Sequence, residues 1–248
     1  MTRVLLTSVV LVALAGGAPA QDTNRTDFSA EQRAEVITIL RDALRSDPSI
    51  LRDAITALQE SDRAAKEAAR REALAASADA LFRDPADPEK GNPRGDVTIV
   101  EFFDARCGYC RTLHSAMQAL LQRDRNVRVV LKDLPILGPN SVQASRALLA
   151  AQRQDKYEAL FDALLRLRTD TPVTVIQAEA QRAGLDWTRL RRDMDDPAIT
   201  RRIEANTTLA QRLGIEGTPA LVVGNTLVSG VVDLDELERL VRVARARR

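Results

Sequence analysis

Apolar and polar positions divide the chain into stretches of different texture. Val36, Ile37, Leu40 and Leu44 recur at helical spacing and make one apolar stripe. Ser29, followed three residues later by Gln32, carries the capping-box pattern that opens such a helix. Asp47-Pro48 stops it and starts another, with Asp47 as cap and Pro48 at the first helical position, where a missing N–H costs nothing. Ile50, Leu51, Ile55 and Leu58 form a second stripe. From Gln59 to Ala80 the chain is rich in Ala, Glu, Arg and Lys, strong helix formers with little to bury. This N-terminal section predicts helices without strands. Its apolar face must pack on the rest of the chain or pair with copies of itself, and the second outcome is the expectation.

Residues 83–96 hold Pro85, Pro88, Gly91, Pro93 and Gly95 and read as a linker. Val97–Phe103 is then an apolar run interrupted only by Glu101, as in a buried central strand. Cys107 to about Gln122 is helical, with Leu113, Met117, Leu120 and Leu121 on one face, and Val127–Leu131 is a second β-branched strand. From Asn140 to Leu213 the pattern is helical, with breaks at Gln154-Asp155, Thr171-Pro172, Gly184-Leu185-Asp186 and Asp196-Pro197. Ala220–Val223 and Thr226–Val228 are short strands joined at Gly224-Asn225, a tight-hairpin signal. Asp233 caps a final helix carrying Leu234, Leu237, Leu240 and Val241.

Composition narrows the picture. Hydrophobic residues are 45% of the 248, enough for a sizeable core, yet aromatics are only 3%, so that core is aliphatic. Arg3, the apolar run Val4 to Ala15 and the small-x-small site Ala18-Pro19-Ala20 read as a cleavable signal peptide over residues 1–20. The run is too short for a membrane span of about 20 apolar residues. Cleavage would remove one arginine and no acid from 36 basic and 35 acidic residues, leaving them in balance. That balance speaks against a nucleic-acid partner, which needs a basic surplus.

The chain has two cysteines, three positions apart. A disulfide-stapled exported scaffold would use four or more, and a bridge closing so small a loop restrains little unfolded-chain entropy. A redox pair explains them better than a staple. Cysteine attacks only as thiolate, and a helix N-terminus stabilises that anion with its free N–H groups and positive dipole end. Cys107, at the first turn and expected to be exposed, is assigned as nucleophile. Cys110, one turn further in and expected to be buried, resolves the mixed disulfide. Gly108 keeps the approach open, and Tyr109 tunes reactivity and partner contact. Glu101, a carboxylate in an apolar strand, would have a raised pKa and could take the Cys110 proton; Lys132, at the end of the neighbouring strand, is a candidate partner for it. Gly217-Thr218-Pro219-Ala220 opens the late hairpin, where a proline cannot donate to the ladder and a cis bond is tolerated. There Thr218 could present its backbone to a substrate strand beside Cys107. One C-x-x-C supplies only two of the four ligands of a structural zinc site. Adding His114, the only histidine, gives three ligands suited to Cu(I) or Zn. Copper handling through these cysteines is therefore the alternative; otherwise His114 is an ordinary helix residue and the chain needs no metal or cofactor. An adhesion or assembly protein built around its helical stalk is a third class.

Glu101-Phe102-Phe103-Asp104 leading into Cys107-Gly108-Tyr109-Cys110, then Lys132-Asp133-Leu134-Pro135 and Gly217-Thr218-Pro219-Ala220, resemble the DsbA-like branch of the thioredoxin superfamily. The resemblance covers roughly residues 85–248. It implies an α/β thioredoxin-like fold with an inserted helical domain at about 140–213, preceded by an N-terminal α-helical extension. The expected organisation is a signal peptide at 1–20, a helical region at 21–82 and a DsbA-like domain at 83–248. The Gly-Tyr dipeptide and the helical extension are similar to the ScsC and Com1-like subgroup rather than to DsbA itself, whose dipeptide is Pro-His. Without that histidine the Cys107 thiolate has one stabilising charge fewer, so a milder oxidant is expected. The resemblance implies a periplasmic protein that oxidises or isomerises disulfides in unfolded or misfolded exported proteins, with a membrane redox partner reloading the site. Through residues 28–80 it implies a homotrimer or other homo-oligomer. It also implies a link to copper tolerance.

Overall fold

The structure, a computed structural model, describes residues 28–247; the signal-peptide reading of residues 1–20 lies outside them. The chain divides into two compact units, one ending at Glu60 and one starting at Ser61.

In the first unit, helix α1 (Ala30–Ser46) opens as its sequence demands. Ser29 Oγ accepts from the Gln32 N–H, and the Gln32 side chain accepts from the Ser29 N–H at 2.9 Å. Helix α2 (Ser49–Ala76) begins one residue later than anticipated, with Pro48 just ahead of it and the Asp47 carboxylate accepting from the Ser49 N–H. Val36, Ile37, Leu40, Ile50, Leu51, Ile55 and Leu58 are 46% to 62% exposed, and α1 buries no residue at all. Apolar stripes this open are uncommon on folded proteins.

The second unit is built on a sheet of order β1-β3-β2-β4-β5, with β1 (Glu89–Gly91), β2 (Val97–Phe103), β3 (Val127–Asp133), β4 (Ala220–Val223) and β5 (Thr226–Ser229). Only β2 and β3 run parallel; the other pairs are antiparallel. Alternation along the central strands feeds two cores. Ile99 and Phe103 of β2, with Val129 and Leu131 of β3, face the larger core. That core is shared with α4 (Gly108–Arg123), α10 (Leu234–Ala246) and the helices α5 (Pro139–Gln152), α6 (Tyr157–Arg166), α7 (Val173–Arg182) and α8 (Trp187–Asp193). Val100, Phe102, Val130 and Val222 face the other core, closed by Leu74, by Leu81 of α3 (Ala78–Phe82) and by Leu209 and Leu213 at the end of α9 (Pro197–Arg212). Asp186, Asp196 and Asp233 each cap the helix that follows by accepting a backbone N–H.

Two expectations need correcting. Residues 83–96 are not a plain linker: Glu89–Gly91 forms an edge strand on β3. Gly91 closes it at φ +77°, and a Cβ there would stand 2.5 Å from the Val127 carbonyl oxygen, which explains the glycine. Lys132 does not partner Glu101. The parallel register sets Lys132 beside Phe102 and Glu101 beside Leu131, so the two side chains lie on opposite faces of the sheet. Lys132 Nζ instead donates to Asp87 Oδ2 at 2.5 Å and to the Ala80 carbonyl at 2.7 Å. Arg202 of α9 also binds Asp87 and Asp84. This buried ionic clasp pins residues 80–87 beneath the sheet.

Candidate redox site

The site forms where β2 runs out. Its last residue, Phe103, is followed by the turn Asp104–Arg106, closed by the Cys107 N–H donating to the Asp104 carbonyl at 2.9 Å. Cys107 is the N-cap residue of α4, in extended backbone conformation (φ −68°, ψ 119°). The Asp104 carboxylate, fully buried, accepts from the N–H groups of Arg106, Ile136 and Leu137 at 2.8 to 3.0 Å. It thereby fastens the turn to the loop after β3, a role that sequence reading did not find because Asp104 adjoins a motif without belonging to any chemistry-bearing spacing.

Both cysteines are free thiols. Cys110 is buried as expected, but Cys107 is only 6% exposed, contrary to its expected exposure. The cis Thr218–Pro219 segment leading into β4 covers it, placing the Thr218 carbonyl oxygen 3.2 Å from Cys107 Sγ, where the protonated thiol can donate to it. Tyr109, by contrast, is 71% exposed, and a Cβ placed on Gly108 would meet no atom within 4 Å.

The electrostatics divide the two sulfurs sharply. The Cys110 thiol donates to the Cys107 thiolate; the Thr218 side chain and the N–H groups of Cys110 and Tyr109 add to it, and together they outweigh burial to bring the Cys107 pKa down to about 5. The same hydrogen bond, with burial and the nearby Glu101 charge, pushes the Cys110 pKa well up. One proton is thus held by the inner sulfur while the outer one is anionic at neutral pH. Glu101 is 1% exposed, and burial raises its pKa to about 7, with Lys90 pulling the other way. Its Oε1 has no hydrogen-bond partner among the described residues. A second buried acid was not anticipated. Burial brings Asp133, at the end of β3, to a pKa of about 7 although the Tyr157 hydroxyl donates to it at 2.8 Å.

His114 lies on α4 one turn beyond Cys110, packed edge-on against Phe161, and burial drops its pKa to about 4. Among the described residues no group of three or more His, Cys, Asp or Glu is arranged to hold a metal ion. Nor is any described helix long and apolar enough to cross a membrane.

A thiolate at a helix N-terminus, a buried thiol one turn behind it and a cis-proline loop across from both define the class of thioredoxin-fold thiol–disulfide oxidoreductases. Residues 98–242 match the DSBA-like thioredoxin domain, and residues 32–65 match the copper resistance protein ScsC N-terminal domain. The chain belongs to the DSBA-like thioredoxin family, in its DsbA/ScsC-type form with an N-terminal helical segment. A thioredoxin-like oxidoreductase from Silicibacter pomeroyi DSS-3 is 46% identical and covers 68% of this chain and 97% of its own, with a TM-score of 0.66. Proteus mirabilis ScsC in a transitional conformation is 32% identical, covers 90% of this chain and 99% of its own, and gives 0.67. The Na(+)/H(+) antiporter NhaA 3 of Salinispora tropica is 29% identical over 166 residues, which are 64% of this chain and 26% of that protein. The chain therefore spans about a quarter of that curated relative's length.

Proposed function

We propose that this chain is a periplasmic thiol–disulfide oxidoreductase that oxidises or isomerises disulfides in unfolded or misfolded exported proteins. The observation that carries this reading is the split between the sulfurs: Cys107 anionic near neutrality beneath Thr218, Cys110 buried and holding the proton. In the reducing direction the Cys107 thiolate attacks one sulfur of a substrate disulfide and expels the other as a thiolate. Cys110 passes its proton to Glu101 and attacks Cys107 Sγ, releasing the second substrate sulfur and closing the Cys107–Cys110 bridge. Two electrons pass to the substrate; oxidation is the same path reversed. In isomerisation a thiol of the substrate itself attacks the mixed disulfide and regenerates the Cys107 thiolate. Gly108, Tyr109, Thr218 and Pro219 form the surface that a substrate strand would meet. A membrane partner resets the redox state.

Insulin reduction and the refolding of scrambled ribonuclease test the reading. Cys107→Ala should abolish both activities, and Cys110→Ala should accumulate mixed disulfides. Full turnover by Cys110→Ala in insulin reduction would remove the resolving role.

The open stripe on α1 and the start of α2 supports self-association through residues 28–80, an arrangement that would let several sites surround one substrate and so favours isomerase work. Sedimentation of the full chain carrying Ile37→Ser with Leu40→Ser should give a smaller mass than wild type. Equal masses would end that part of the proposal.

A further inference from the structure

Glu101 can take the Cys110 proton only if it is ionised when Cys110 attacks, and the unexpected strand β1 supplies a charge that bears on this. Lys90 pairs with Val129 in the β1–β3 register, Val129 pairs with Ile99, and Ile99 and Glu101 lie two apart on β2. Lys90 and Glu101 therefore share one face of the sheet. The Lys90 side chain is 5% exposed and runs inward under α6. There its ammonium binds Asp162, lies 3.5 Å from Glu158 and stands 5.2 Å from the centre of the Phe161 ring. Phe161 in turn packs edge-on against Phe103, the next residue after Glu101 on that face. Lys90, Asp162, Glu158 and Gln118 line an open cavity of about 350 Å³. Lys90 has a counter-ion in Asp162, whereas Glu101 Oε1 on the same face of the sheet has no hydrogen-bond partner among the described residues, so a cation on that face can offset part of the cost of ionising it.

We propose that Lys90, held in place by Asp162, is the positioning cation of the redox site: its charge favours the ionised form of Glu101, the form that can accept the proton of Cys110. This rests on the reading that Glu101 takes that proton. Cys110 of α4, Tyr157 of α6 and Lys90 of β1 interact electrostatically with Glu101. Around Lys90 and Asp162 stand Glu158 and Arg166 of α6 and His114 of α4, and Asp133 lies beyond Tyr157. Of these Lys90 is the cation that acts on Glu101, opposing the effect of burial.

The test uses the reduced full-length protein and dithiobisnitrobenzoate, followed in stopped flow. Cys107 thiolate attack releases the first thionitrobenzoate. Cys110 then loses its proton to Glu101 and displaces the second, leaving the Cys107–Cys110 disulfide. The second phase of the wild type should rise with pH around a midpoint near that of Glu101. Lys90→Met should move that midpoint up by about one pH unit and slow the second phase about fivefold at neutral pH, leaving the first phase unchanged. Lys90→Arg should keep the wild-type profile. Asp162→Asn should move the midpoint down, because it removes a negative charge beside Lys90; a merely structural role for the pair would not give shifts of opposite sign. Glu101→Gln should abolish the midpoint. A wild-type profile in Lys90→Met, or shifts of the same sign in Lys90→Met and Asp162→Asn, would overturn the role of Lys90 alone. An unchanged second phase in Glu101→Gln would overturn the reading of Glu101 and the proposal with it.

Discussion

Opening the Cys107–Cys110 disulfide should make the protein more stable. In the reduced folded state the outer thiol has a pKa of about 5, whereas in the unfolded chain it titrates near its ordinary value of about 8.5. At pH 7 the folded thiol is about two units above its midpoint while the unfolded one is still protonated. At 1.36 kcal/mol per unit, ionisation favours the reduced fold by roughly 3 kcal/mol. Cys110, with its pKa raised, is protonated in both states at pH 7 and adds nothing there. The bridge gives little in return, because a loop this small removes little entropy from the unfolded chain. The same free energy makes the site a better oxidant by about 60 mV than one whose outer thiol stays protonated. The sign follows from linkage: a pKa lowered on folding gives stability that is complete above about pH 8.5 and is lost as pH falls through about 5. Guanidinium unfolding of the reduced and oxidised forms across this range, alongside ultraviolet absorbance of the thiolate, measures both quantities. A stability gap that does not change with pH, or a thiolate appearing only near pH 8.5, would refute the reasoning.

Thr218→Val removes a side-chain donor from the Cys107 thiolate, so its pKa should rise by about one unit and the reduction potential should fall by about 30 mV against glutathione. Asp87→Ala leaves the Lys132 ammonium, 2% exposed, without its carboxylate. That should cost about 3 to 5 kcal/mol, seen as a lower guanidinium midpoint at an unchanged slope. A loss under about 1 kcal/mol would mean that the clasp contributes little.

The parts of the fold legible in the sequence are those set by local pattern. The apolar run Val97–Phe103 is β2 residue for residue, and the Gly224-Asn225 hairpin, the helix breaks at Asp186 and Asp196-Pro197 and the Asp233 cap stand where the sequence placed them. Cys107, Cys110, Glu101 and the Thr218–Pro219 bond come together as their spacing suggested. What escaped depends on neighbours distant along the chain. Three residues of β1 show no period, and their pairing is decided by β3. Lys132 looked like a partner for Glu101 because it ends the adjacent strand, but the register turns it to the other face. Cys107 looked exposed because a helix start is exposed until another segment crosses it, and Thr218 crosses it from 111 positions away. Asp133 became a near-neutral acid only once Tyr157 and the surrounding helices enclosed it.

The margins of the sheet bear on how this protein behaves at high concentration. One outer strand has three residues and the other four, and at the first a lysine is turned inward. Such borders give a stray extended chain little to zip onto. Crowding should therefore not readily seed fibrils from the borders of this sheet.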